Sequence, residues 1–140
     1  MKQIVYISLF LLCVMSCSKR YDKVRLIAGD SCQYWYHINA DSNVKTKFYV
    51  YFDRKGKKYT IEERYADKKC YLHDGGDVEI IPTWSFVNDS VIEMGNLNRK
   101  LTIVNDTFLI ITTDEYHWVD TLYKVTDTSL LKKLQEVKIP

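Results

Sequence analysis

The chain lacks a dominant charge: 20 lysines and arginines stand against 18 aspartates and glutamates, a formal net charge of +2 over 140 residues. The two signs are interspersed, so nothing gives the electrostatic footprint that nucleic acid requires, and no nucleic-acid partner is expected. The locally basic pieces, Arg54-Lys55-Gly56-Lys57-Lys58 and Lys132-Lys133, fall where a hairpin tip and a terminal helix are expected, which makes them solvated turns. Long hydrophobic runs are missing as well. The longest, Ile4 to Met15, is about a dozen residues, too short for a hydrocarbon core that takes about 20 helical residues to cross. Solenoid repeats and low-complexity segments are absent, which leaves a single globular domain. Paired metal-ligand motifs are also absent. Cys70, His73, Asp74 and Asp77 form one cluster, and a structural zinc site normally takes its ligands from two, so no metal and no cofactor are expected.

What the chain does have is strand grammar. From Asp77 to Thr113 short alternating runs are separated by polar pairs: Thr83 to Val87, with Trp84 and Phe86 on one face, then Asn88-Asp89, then Ser90 to Met94, then Gly95-Asn96. Leu101, Ile103, Phe108 and Ile110 continue on either side of Asn105-Asp106. Asn, Asp and Gly tolerate the left-handed backbone of tight turns, so a meander is expected. Earlier, Gln33 to Ile38 sets Tyr34, Tyr36 and Ile38 against Trp35 and His37. Lys47 to Phe52 sets Phe48, Val50 and Phe52 against Tyr49 and Tyr51, and Asp53-Arg54-Lys55-Gly56 turns the chain into Lys58 to Tyr65. There Tyr59, Ile61 and Tyr65 oppose Lys58, Thr60, Glu62 and Arg64. Ala66 to Gly76 reads as a polar loop, and Pro82 as an edge, a bulge or a break. His117 to Lys124 is a further strand, with Trp118 and Leu122 against Val119 and Tyr123. Thr126-Asp127-Thr128 then offers helix caps ahead of Leu130, Leu131 and Leu134, the one convincing helical spacing after the leader. Eight or nine short strands of this kind hide their edges by closing.

The N-terminus carries an address. Lys2, the apolar run and Ser16-Cys17 form a signal peptide over residues 1–16. Val14-Met15-Ser16-Cys17 resembles the lipobox of bacterial lipoproteins, which implies lipidation of Cys17, a tether over 17–23 and anchoring without spanning; the alternative is an ordinary secretory signal. Ser18-Lys19-Arg20 lacks the Asp that by resemblance to the usual sorting rule retains lipoproteins at the inner membrane, and lacks a surface-export acidic run. An outer-membrane location on the periplasmic face is expected. With Cys13 removed and Cys17 acylated, Cys32 and Cys70 remain as an even pair in an oxidising compartment. A Cys32 to Cys70 disulfide is expected, the alternative being two small buried residues.

The order Leu26-Ile27-Ala28-Gly29, Tyr34-Trp35, Phe48-Tyr49-Val50-Tyr51-Phe52 and Thr83-Trp84-Ser85-Phe86 resembles the small lipocalin-like lipoproteins of Bacteroidetes-type bacteria. Lys100-Leu101-Thr102-Ile103 and Asn105-Asp106-Thr107-Phe108-Leu109 fit the same pattern. The resemblance implies an all-β, antiparallel up-and-down meander closing into an eight- to nine-stranded lipocalin-like barrel over residues 24–125, with a C-terminal helix and tail over 126–140. The lipocalin Gly-x-Trp is absent, since five residues separate Gly29 from Trp35, so a closed, hollow barrel is left open.

The aromatic wealth, 11 tyrosines, 3 tryptophans and 5 phenylalanines, supplies the candidate pocket: Tyr34, Trp35, Tyr49, Tyr59, Trp84, Phe86 and Trp118 for a small apolar or carbohydrate ligand. The same side chains equally suit a filled core, in which case the barrel serves as an interaction, inhibitor or scaffold module for an envelope protein. A catalytic alternative sets Gly29-Asp30-Ser31 beside Asp114 and His117 as a serine hydrolase of Gly-Asp-Ser type. That family resembles an α/β sandwich, for which this chain has no room, and a non-enzymatic protein is expected. His37 is expected to be a half-buried residue with a partner.

Overall fold

The computed structural model describes residues 23–38, 45–76, 79–103 and 105–140. The expected leader, the expected lipidation site Cys17 and most of the expected 17–23 tether lie outside these residues, as does Asp77. Among the described residues a short helix α1 covers 23–28, and nine strands follow: β1 Cys32–Ile38, β2 Lys47–Asp53, β3 Lys58–Glu63, β4 Cys70–Leu72, β5 Trp84–Phe86, β6 Val91–Met94, β7 Leu97–Ile103, β8 Phe108–Thr113 and β9 Trp118–Lys124. A single 3-10 turn, Asp114–Tyr116, joins β8 to β9, and helix α2, Thr128–Gln135, closes the chain. No helix among the described residues is long and apolar enough to cross a membrane.

All nine strands form one antiparallel sheet in the order β4-β3-β2-β1-β9-β8-β7-β6-β5. Two meanders, β1 to β4 and β5 to β9, are joined through the β1–β9 pair, and the sheet curls into a half-barrel consistent with a lipocalin-like fold. A fully closed barrel would pair β4 with β5. Instead, the tip of the β2–β3 hairpin meets the start of β5: Lys57 bridges Thr83, the Lys58 N–H donates to the Pro82 carbonyl, and the Trp84 N–H donates to the Gly56 carbonyl at 2.8 Å. Pro82 lies just ahead of β5, at a break before the meander.

The turns follow from their side chains. The Asp53 carboxylate accepts from the N–H groups of Lys55 and Lys57, while Gly56 sits at φ 84°, a left-handed position that any Cβ would strain. Asn88 accepts from Ser90, and Asn105 from Thr107 and Phe108, the local bonding that made these pairs legible as turns. Two elements differ from expectation. Residues 23–28, one helical stretch too short to show a period, end at Gly29 with φ 63°, where the Gly29 N–H closes on the Arg25 carbonyl at 2.8 Å. The supposed loop Ala66 to Gly76 contains β4, three residues paired with β3 through Ile61–Leu72 and Glu63–Cys70.

The register sorts the side chains into two cores. Inside the half-barrel lie Trp35, Val50, Phe52, Trp84, Phe86, Ile92, Met94, Leu101, Leu109, Ile111 and Leu122, with Ile27 and Ala28 of α1 packed among them. The Trp35 indole N–H donates to the Ile27 carbonyl at 2.8 Å, and Phe52, Trp84 and Phe86 meet edge to face. The second core lies outside: Tyr34, Tyr49, Ile61, Val125 and Leu134, with Leu130, Leu131, Val137 and Ile139 packed against it. Here α2 covers the outer face of β1 to β3. Asp127 caps it, accepting from the Leu130 N–H at 2.7 Å, and the Lys133 ammonium pins it to Glu63 at 2.9 Å.

Candidate functional site: a charged cup inside the half-barrel

Because α2 covers the outer face of β1 to β3, the apolar side of β3, with Tyr59 and Ile61, is turned outward and its polar alternation inward. Thr60 lies opposite Val50, and Lys58 opposite Phe52, so both share the inner face with the aromatic core. On β9, Asp120 occupies the inward step between Trp118 and Leu122 and lies opposite Ile111. On β7, Arg99 lies opposite the buried Ile92. On β1, His37 lies opposite Leu122 and two residues beyond Trp35. Four ionisable side chains from four strands therefore converge above the aromatic packing of the half-barrel, while Glu62, also on the inward face of β3, is engaged by Arg64 and His73.

These four line a half-open cup of about 130 Å³, bounded by His37, Val50, Lys58, Thr60, Met94, Arg99, Ile111, Asp120 and Leu122. Asp120 is its hub: one carboxylate oxygen is 3.0 Å from His37 Nε2, and the other makes a long 3.5 Å contact with Arg99 Nη1. The hydrogen bond from His37 is the leading reason that Asp120 is held below the usual carboxylate range. Burial opposes it, while the charges of His37, Arg99 and Lys58 add to it. Lys58 is pushed the other way, from 10.5 down to about 8, first by burial and then by the Arg99 charge, with Asp120 pulling weakly back. Arg99 Nε is buried with no hydrogen-bond partner, and so is Thr113 Oγ1, one inward step beyond Ile111 on β8. A buried guanidinium N–H left unpaired is rare enough to mark a place where something else accepts.

The residues singled out from sequence do not share a pocket. Trp35, Trp84 and Phe86 fill the interior and are buried; Trp84 spends its indole N–H on the Asp53 carbonyl at 2.9 Å. Tyr34, Tyr49 and Tyr59 lie on the opposite face, beneath α2 and the C-terminal tail. Burial, then Glu63, raises the Tyr49 pKa, and the Tyr49 hydroxyl donates to Glu63 at 3.1 Å. Trp118 stands at the start of β9 and is 61% exposed. The alternation placed these rings on the correct opposing faces, but both faces turned out to be cores. The outer tyrosines do border a groove of about 340 Å³, lined by Tyr36, Tyr49, Tyr123 and Leu130.

The disulfide expectation is corrected: Cys32 and Cys70 are free thiols. Cys32 pairs with Asp53 at one end of β2, while Cys70 pairs with Glu63, itself opposite Lys47 at the other end. Six residues of strand and three strand spacings put them about 20 Å apart or more, against the roughly 7 Å a disulfide allows. The Gly-Asp-Ser triad is likewise not assembled. In the β1–β9 register Ser31 and His117 lie beyond opposite ends of the pair, about 30 Å apart, with His117 in a left-handed position after the 3-10 turn. Among the described residues no three His, Cys, Asp or Glu side chains converge as metal ligands; His73 instead contacts Glu62 at 3.2 Å.

His37 is half-buried with a partner, as its place on β1 implied. Lys58, Arg99 and Asp120 were missed, although one signal was present: Asp120 is a charge at the centre of the Trp118-Asp120-Leu122 face, where an apolar residue belongs. Comparison of the chain with protein-family models, with curated proteins and with solved structures finds no match.

Proposed function

We propose that the protein is a lipid-anchored cell-envelope module of lipocalin-like type that holds a small ligand inside its half-barrel and catalyses no reaction. The observation that carries this reading is the convergence of His37, Lys58, Arg99 and Asp120 on one cavity, with Arg99 Nε unpaired. All four are half-buried, and partly withdrawing such groups from water costs stability unless they serve something. The cavity, about 130 Å³, is well below the roughly 300 Å³ of an ordinary ligand pocket, so the ligand is small; the aromatic packing leaves no room for a long apolar chain. The lipobox-like Val14-Met15-Ser16-Cys17 supports anchoring through acylated Cys17, and Ser18-Lys19-Arg20 supports the periplasmic face of an outer membrane.

The test is a small-fragment screen by NMR on the full-length, detergent-extracted protein, with its intact mass measured alongside. Shifts converging on His37, Lys58, Thr60, Arg99 and Asp120, and a mass carrying acyl chains at Cys17, are the expected results. Shifts confined to the Tyr36, Tyr49 and Tyr123 groove would move the ligand, a carbohydrate among the candidates, to the outside of the barrel. No ligand at either place would favour the second reading, a scaffold or inhibitor for an envelope protein, which the largely filled core supports. An unmodified Cys17 would remove the anchor.

A further inference from the structure

We infer that the cup is a receptor for a short aliphatic monocarboxylate, its carboxylate held by Arg99 and Lys58 and its hydrocarbon end lying against Val50, Met94, Ile111 and Leu122. The inference rests on the binding reading and names the ligand for it. Its first ground is charge. Within the cavity Lys58 and Arg99 face a single acid, Asp120, so one positive charge is in excess before any proton on His37 is counted. The other strands lining the cup add nothing ionisable, β2 presenting Val50, β6 Met94 and β8 Ile111, and Glu62, the next inward residue on β3 after Thr60, lies outside the lining and is engaged by Arg64 at 2.7 Å and His73 at 3.2 Å. A monoanion balances this arrangement, and a neutral sugar or hydrocarbon covers the excess without compensating it.

The second ground is geometry of the donors. Asp120 engages one end of the Arg99 guanidinium through Nη1, at 3.5 Å, and leaves Nε buried and unpaired. A second carboxylate is the acceptor whose planar pair of oxygens suits a guanidinium N–H while also receiving an ammonium proton. Asp120 meanwhile is tied to His37 at 3.0 Å, so it positions Arg99 rather than neutralising it fully.

The third ground is the division of the lining. Apolar Val50, Met94, Ile111 and Leu122 stand beside Lys58, Arg99, Asp120, His37 and Thr60, so the site is amphipathic, and a bare inorganic anion would leave its apolar part unfilled. The cup, of about 130 Å³ and open to solvent, suits a short body of about three or four carbons.

Calorimetric titration of the full-length, detergent-extracted protein with butyrate, butyramide and inorganic phosphate separates the possibilities. Butyrate is expected to saturate one site, butyramide to give no measurable binding and phosphate to bind more weakly than butyrate. Arg99→Leu and Lys58→Met are each expected to lower butyrate affinity by roughly thirtyfold or more, the lower end of what truncating a buried charge partner costs. Lys58→Met removes a charge that burial disfavours, so it keeps the fold if Arg99→Leu does not; Lys58→Arg is expected to restore most of the affinity. Butyramide binding as well as butyrate, phosphate binding more tightly, or unchanged butyrate affinity in Lys58→Met overturns the inference. A neutral fragment found in the same cup overturns this inference while leaving the binding reading intact, whereas an empty cup in both experiments overturns both.

Discussion

Lys58 is the residue whose energetics are most exposed to test. Its ammonium is held at about 8 rather than 10.5, so across that window the unfolded chain binds more protons than the folded one, and stability should rise with pH. Below pH 8 both states are protonated and the burial penalty is present in full. The groups facing it are Arg99 from β7, which deepens the shift, Asp120 from β9, which opposes it, and His37 from β1, held by Asp120. Lys58→Met should therefore stabilise the protein by about 1–3 kcal/mol at pH 7 and abolish the rise above pH 8, measured by urea unfolding at a series of pH values. Asp120 has the opposite sign. Its carboxyl is held below the usual range by His37 and by the Arg99 and Lys58 charges, so its contribution is present at neutral pH and lost as pH falls through its folded-state value. Asp120→Asn leaves two cations without a counter-charge and should destabilise by about 2–4 kcal/mol at pH 7, with the deficit shrinking in acid.

At the scale of elements, α2 decides which face of β1 to β3 points into the cup. Leu134 is fully buried against the outer tyrosines, and Leu134→Ala should cost about 2–4 kcal/mol in denaturant unfolding; Asp127→Ala, removing the cap, should cost about 1 kcal/mol. Tyr51, raised to about 12 by burial and then by Cys32, and Tyr49 lie in the same wall, so alkaline titration of the wild type should leave both protonated at pH 10. This element also explains what was legible in the sequence and what was not. Period-two alternation in Gln33 to Ile38 and Lys47 to Phe52 put every ring on its correct face, and the Asn-Asp and Asp-Arg-Lys-Gly turns appear where their local hydrogen bonds demand. Alternation says which residues share a face but not which face is inside. Placing Lys58 and Thr60 outside is the ordinary assumption for a strand with one wet side, and it fails here because the amphipathic helix buries the other. The cysteine pair misled for a different reason: compartment and parity say nothing about register, and register puts Cys32 and Cys70 at opposite ends of the wall.

For the whole molecule, the open seam between β4 and β5 and the charged cavity belong together. The aromatic cluster Phe52, Trp84 and Phe86, with α1 packed against it, makes one part of the interior solid, and the hairpin tip at Gly56 ties β2 and β3 to the start of β5 across the seam. Gly56→Ala would put a Cβ 3.1 Å from the Trp84 carbonyl at a left-handed backbone position, and should loosen that tie, lowering stability by about 1–3 kcal/mol. What remains open is a small cup whose cations lack enough acid to balance them. Lys58 lies within that cup as a half-buried, incompletely compensated cation, and the most direct measurement is an NMR pH titration of the Lys58 side chain in the full-length protein. The account predicts a midpoint near 8, moving upward when butyrate is present. A midpoint at the ordinary 10.5, unchanged by butyrate, would contradict it.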